Sequence, residues 1–269
     1  MVEPLTQMPK APETKAESNP LKKYYRQPAI YIKLPSGGQF YNSDSFTKTE
    51  TGELGVFPMT AKDEMAFKTP DGLINGQSTV DVIESCIPNI KNAWKVVNHD
   101  VDVILLAIRI ATYGETMDMS FTVPGANVKS EHTVNLPGLL DQIKGVEIQD
   151  HFTLPDGLKI YVNPLSYKDM TTASQQTFQQ SKMYNAVQNS ELPEEDKVKR
   201  FNESFKALTE LNTSILMKNI AKITMPDGTV IEDSTQITEF INNANASLIK
   251  PVSYTHLRAH ETPEQLVWR

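Results

Sequence analysis

The chain has 269 residues, 39% of them hydrophobic, and carries 26 basic against 33 acidic side chains for a net charge of −7. That length holds one large domain or two small ones, and the acidic balance speaks against a nucleic-acid partner held by a general electrostatic field. One cysteine excludes an intrachain disulfide framework and a thiolate zinc cage, and no apolar run reaches the ~18 residues of a membrane span.

Residues 1 to about 20 hold four prolines among alternating charges and are expected to form a flexible arm. Residues 21–144 read as an N-terminal mixed α/β module. In it, Ala29 to Leu34 is a short strand that ends at the turn cluster Pro35-Ser36-Gly37-Gly38. Gln39-Phe40-Tyr41 is expected to return as its partner, and Gly55-Val56-Phe57 is a weaker strand. Thr60 with Asp63 three residues later predicts a capped helix through Phe67, stopping near Pro70-Asp71-Gly72. Val80, Val82, Ile83 and Cys86-Ile87 predict a second helix, with Ser78 as N-cap and Pro88 as stop. His99 to Tyr113 is apolar on nearly every face and is read as a buried central helix closed by Gly114. Arg109 within it should pair with Asp100, Asp102 or Glu115, or else lie at an exposed edge. Thr116 to Phe121 and His132 to Leu136 alternate as two strands, and Leu139, Leu140 and Ile143 begin a short helix.

Residues 145–250 read as a second module. Two Pro-Asp-Gly turns, at 155–157 and 226–228, predict two β-hairpins. Between them, Ser166 and Asp169 cap a helix running to about Asn189, and Glu191 to Asp196 start another with acids in its first turn. Val198, Phe201, Phe205, Leu208, Asn212, Ile215 and Asn219 follow a 3–4 spacing, so the pair is expected to be an αα-hairpin with one apolar seam. Asn212 and Asn219 either fix register or partner choice on that seam or face a solvent-accessible edge. A last helix follows Asp233. The expected fold class is α+β: an N-terminal mixed α/β module with short strands and a buried central helix, then a β-hairpin plus long αα-hairpin module.

Chemistry is sparse. There is no His-Glu-x-x-His, phosphate loop, Gly-x-Ser-x-Gly elbow or Cys-x-x-Cys. Cys86 reads as a small core hydrophobe, His99, His132 and His151 as isolated side chains, and the acids 191–196 as a solvated helix start. No catalytic residue, cofactor or metal site is expected. The candidates that remain are for interfaces. Tyr24-Tyr25-Arg26 is either a binding hot spot or a lid folded over the sheet, and Trp94 reads as core packing in preference to an exposed anchor. Val252 to Thr262, with Leu266 to Arg269, looks like a translated sequencing-library adapter, so 252–269 is expected to be non-native and the native C-terminus to lie beyond reach.

Several blocks, in order, carry a resemblance: Asn19 to Gly38, with Tyr24-Tyr25-Arg26-Gln27-Pro28 at its centre; Pro58 to Glu64 with Lys68 to Asp71; Val80 to Pro88; and Asp100 to Gly114. They resemble baseplate hub proteins of T-even-like contractile-tailed phages over residues 19 to about 145, with weaker similarity to about 250. Several members of that family carry a Cys-x-x-Cys knuckle in the hairpin after the central helix. This chain has Val123-Pro124-Gly125-Ala126-Asn127 there, so zinc is not carried over. The resemblance implies a minor hub subunit or hub-assembly chaperone that works by protein–protein binding. Its implied partners are other hub or tape-measure proteins, with or without self-association, and not nucleic acid or membrane. The implied location is the host cytoplasm during assembly or the virion tail baseplate. A hub-associated enzyme such as a cell-wall hydrolase is the alternative, and its paired carboxylates cannot be placed.

Overall fold

A computed structural model of the chain describes residues 19–69, 75–122, 129–144 and 150–244. The expected flexible arm, the Pro70-Asp71-Gly72 stop, the 123–127 loop, the module boundary at 145 and the adapter-like stretch lie outside the described residues, apart from Asn19 and Pro20 at the end of the arm. Among the described residues the fold is α+β, with seven α-helices, a four-stranded antiparallel sheet and two two-stranded ribbons.

The first core is built around one helix. Strand β1 (Ile30–Ile32) pairs antiparallel with β2 (Leu54–Val56), Ile30 facing Val56 and Ile32 facing Leu54. Gln39-Phe40-Tyr41 is therefore not the return strand. Gly37 and Gly38, at φ 59° and 72°, steer the chain toward the N-terminus of the central helix, where Ser36 and Tyr41 are tied down. Helix α1 (Ala61–Phe67) starts in the expected capping box of Thr60 and Asp63. Helix α2 (Gln77–Cys86) starts two residues earlier than Ser78 suggests: left-handed Gly76 is its N-cap, Asn75 Oδ1 accepts from the Gln77 N–H, and Ser78 is buried inside. Helix α3 (Asn98–Tyr113) is the central helix, buried through Val101, Val103, Ile104, Ala107, Ile108 and Ile110 and closed by Gly114 at φ 93°. Against it pack Ile32, Leu54 and Val56 from the ribbon, Val82, Ile83 and Cys86 from α2, and Leu136 and Leu140 from α4 (Leu136–Lys144). Each such side chain removed from water contributes roughly 1.5–3 kcal/mol, so α3 needs no polar face. The ribbon of β3 (Thr116–Thr122) and β4 (Lys129–Asn135) leaves this core, held at its base by Met117 and Val134.

The second core sits under the sheet β5 (His151–Thr153), β6 (Lys159–Val162), β7 (Ile220–Thr224) and β8 (Val230–Ile231), in that spatial order. Both Pro-Asp-Gly turns form, with Gly157 and Gly228 at φ 85° and 88°. Leu154, Ile160, Ile220 and Ile223 meet Ile237 and Ile241 of α7 (Ser234–Asn243). Helices α5 (Tyr167–Gln188) and α6 (Glu194–Asn219) are inserted between the neighbouring strands β6 and β7. Their 22 and 26 residues make an antiparallel arm about 33–39 Å long at 1.5 Å per residue.

The two cores meet at a tight joint. Val97 bridges Ser166, the Asn98 N–H donates to the Leu165 carbonyl at 2.9 Å, and the Tyr167 N–H donates to the Val96 carbonyl at 2.7 Å. Trp94 stacks on Tyr167 with ring centres 5.7 Å apart. A Cβ on Gly76 would lie 3.0 Å from Thr171 Cγ2 and 3.1 Å from Trp94.

Candidate interaction surfaces

The stretch from Asn19 to Arg26 is pinned at one end. A short 3₁₀ turn over Pro20–Tyr24 is capped by Asn19 Oδ1 accepting from the Leu21 N–H. Arg26 then turns inward: Nη1 donates to the Pro58 carbonyl at 2.7 Å and to Asp63 Oδ2 at 3.3 Å, while Nη2 donates to the Ser85 carbonyl at 2.7 Å and Ser85 Oγ at 2.8 Å. Burial pushes the Asp63 pKa upward, but the Thr60 N–H and hydroxyl, Ser85 and Arg26 outweigh it and leave the carboxyl below its ordinary value. Arg26 thus locks the preceding segment onto α1 and α2, and Tyr24 and Tyr25 remain 73% and 55% exposed. Beside them lies an open groove of about 460 Å³ walled by Tyr25, Phe57, Met59 and Pro88.

Trp94 is half-buried, packed against the first core and stacked on Tyr167, so it serves the joint between the cores. Arg109 has none of its expected acidic partners. It lies 4.6 Å from the Tyr113 ring centre and its Nη1 is buried without a hydrogen-bond partner, while Asp102 and Glu115 are exposed. Asp100 is fully buried and engaged elsewhere: Oδ1 accepts from the Ser36 N–H at 2.9 Å, and Oδ2 accepts from the Ser36 and Tyr41 hydroxyls. Burial raises its pKa against the pull of those donors.

The arm keeps part of its expected seam: Phe201, Leu208, Ile215 and Asn219 are buried or half-buried, whereas Val198, Phe205 and Asn212 are not on it. Leu208, Leu211 and Ile215 of α6 face α5 with Ser204, and Val198, Phe205 and Asn212 lie one step round the helix, exposed. Successive residues on an α-helix are about 100° apart, so 205 and 212 are turned well away from 204 and 211 and lie off the contact line that 204, 208, 211 and 215 choose. Asn219 is buried at the base of the arm, where its carbonyl accepts from the Asn163 N–H at 2.7 Å. A small cluster of Leu165, Met170, Ala173 and Ile215 fills that base. Farther out the interior is mixed: Val187 is buried and Phe201 half-buried with its ring 4.7 Å from Tyr184, but Gln180 Oε1 is buried with no hydrogen-bond partner, and Ser204 reaches only Met183 Sδ at 3.7 Å. Apolar groups point outward instead, with Phe178 61% and Phe205 59% exposed and Tyr184 bridging Phe201 and Phe205.

Other chemistry is contained. The Cys86 thiol is buried, and burial pushes its pKa up to about 11 against the opposing charge of Arg26. His151 pairs with Asp150 at 2.7 Å and stacks on Tyr161, and His99 and His132 are exposed and apart. Among the described residues no three His, Cys, Asp or Glu side chains converge as metal ligands, and no helix is long and apolar enough to cross a membrane.

No curated protein and no solved structure matches the chain. A family model described as T4 bacteriophage base plate protein matches residues 27–257, from the residue after Arg26 through both cores and the arm and past residue 251. The match spans most of the sequence, and the chain belongs to the T4 bacteriophage base plate protein family.

Proposed function

We propose that this baseplate-family protein is a hub component, either a minor subunit or an assembly chaperone, that acts by binding other hub or tape-measure proteins. The observation that carries this reading is the inverted arm, with Phe178, Val198 and Phe205 facing solvent while Gln180 and Ser204 occupy the interior. Between the apolar base at Met170, Ala173 and Ile215 and the buried Val187 the two helices share only a thin, partly polar core, and further helices laid on the outward row would thicken it. Tyr24 and Tyr25, fixed in place through Arg26, supply a second contact of the aromatic kind that dominates binding interfaces. The buried acids Asp63 and Asp100 are committed to internal donors, which suits work by association in place of bond chemistry.

The test is affinity capture of the tagged chain from cells infected with the phage that encodes it. Wild type is expected to bring down hub or tape-measure proteins, and a Phe178→Ser/Phe205→Ser variant to lose them while melting at the same temperature. Mass spectrometry of purified virions then separates the roles: presence in particles marks a subunit, and presence only in lysate marks a chaperone. Peptidoglycan hydrolysis by the pure protein, abolished by one substitution, would refute the proposal.

A further inference from the structure

The ribbon of β3 and β4 poses a physical problem. Seven residues of each strand pair in unbroken register, from Thr116 opposite Asn135 to Thr122 opposite Lys129. Both faces are open beyond Met117 and Val134, with Met119 47% and Phe121 51% exposed. A lone two-stranded ribbon is marginal in water, and a third strand is what ordinarily secures one.

The two edges differ. β4 carries Lys129, Glu131 and His132, the kind of charge that guards an edge against pairing. β3 reads Thr-Met-Asp-Met-Ser-Phe-Thr, with one charge, no Lys, no Pro and no bulge, and among the described residues no backbone group bonds its outer side. That string is a chemical palindrome about Met119. Laid antiparallel on itself it sets Met119 against Met119, Met117 against Phe121, Asp118 against Ser120 and Thr116 against Thr122. Apolar meets apolar on one face, hydroxyl meets hydroxyl or carboxylate on the other, and no like charges are opposed. A two-fold contact requires this self-complementarity. β4 folded on itself about His132 would set Ser130 against Val134 and fails the same condition.

We propose that β3 is a dimerisation edge, pairing with β3 of a second copy of this chain to form a continuous four-stranded sheet in the order β4-β3-β3-β4. The contact stands apart from the hub assignment. It extends the apolar stripe of Met117, Met119 and Phe121 across the symmetry axis, where the flexible thioethers interdigitate.

The experiment uses the full chain. Light scattering after size exclusion should show a dimer that dissociates on dilution. Met119→Lys puts two like charges face to face on the axis and should weaken the dimer by at least about tenfold, and because the position is half-exposed the melting temperature at concentrations low enough for wild type to be monomeric should be unchanged. Met119→Cys places two thiols opposite each other and should yield a disulfide dimer on mild oxidation, since Cys86 is buried and does not compete. Phe121→Cys alone should not, because its twin lies about 13 Å along the strand. Mixed with Met117→Cys it should. A monomer at every concentration overturns the proposal. So does a dimer that ignores Met119→Lys and forms no 119–119 disulfide, which places self-contact elsewhere, or one that cross-links through His132→Cys.

Discussion

Asp100 and Asp102 sit two residues apart on α3, and burial raises the carboxyl pKa of both, but Asp100 is fully buried among three donors while Asp102 reaches the surface and receives none of them, which makes them a controlled pair. Replacing Asp100 by Ala strands three buried donors: the Ser36 N–H, the Ser36 hydroxyl and the Tyr41 hydroxyl. An unsatisfied buried donor costs about 1–3 kcal/mol. Part of that is recovered, because the substitution also removes a buried carboxylate that was itself costly to desolvate. The Ser36 and Tyr41 oxygens also keep accepting from the Gly38 and Val97 N–H groups. A net loss of about 2–4 kcal/mol follows, and at about 2–4 °C per kcal/mol for a chain of this size the melting temperature falls by about 5–15 °C. Asp102→Ala, on the exposed side, should stay within about 0.5 kcal/mol of the parent. Thermal and urea melts of both variants decide the matter. If the two are indistinguishable, Asp100 does not pin the 36–41 loop to the helix. The pH dependence supplies a second reading. Burial holds the Asp100 pKa above its ordinary value, so the folded protein keeps that proton more tightly than the unfolded chain. The stability it contributes is therefore full below about pH 4 and is lost as pH rises through the raised value. Asp100→Asn should lessen that decline, leaving the part of the same sign that Asp102, also raised by burial, contributes.

Asp63 has the opposite sign. Its lowered pKa stabilises the fold above the ordinary carboxylate range, and this is lost as pH falls through the lowered value, so Asp63→Asn should flatten the acid limb of the same stability curve. Arg26→Lys keeps the charge but not the fork that spans Pro58, Asp63 and Ser85, and should cost about 1–3 kcal/mol in a urea melt. An unchanged midpoint would show that the clamp contributes nothing. Gly76→Ala should destabilise by about 1–3 kcal/mol, because its φ of 78° is joined by clashes with Thr171 and Trp94. Gly114→Ala meets no atom within 4 Å but sits at φ 93° and ψ −177°, a region essentially closed to other residues, and should cost about 1–3 kcal/mol from the backbone alone; an unchanged melting temperature would refute this.

What could be read before the structure was local. Thr60 with Asp63, Ser166 with Asp169, and Asp233 announce helix starts because a side chain meets a backbone N–H two or three residues away. Both Pro-Asp-Gly turns are legible for the same reason, as is α3, whose apolar residues lie on nearly every face. What escaped depends on distant chain. Nothing near β1 says that its partner is 54–56 and not 39–41. Arg26 finds acceptors 32 to 59 residues away, and no spacing reports that. The choice of Asp100 over Asp102 depends on a loop 64 residues upstream. The arm shows the limit of periodicity, since a 3–4 pattern fixed that α6 has an apolar side but not which of two adjacent stripes meets α5.

The insertion of the arm between β6 and β7 sets an order of events for the nascent chain. Val162 and Ile220 are neighbours in the sheet, yet nearly sixty residues separate them, and closing so long a loop from a random coil would be slow. An antiparallel pair of helices solves this by geometry, since its two ends finish side by side. The hairpin of β7 and β8 is thereby delivered to the waiting edge of β6, and the projecting element becomes the clasp through which late-synthesised strands reach the earlier ones.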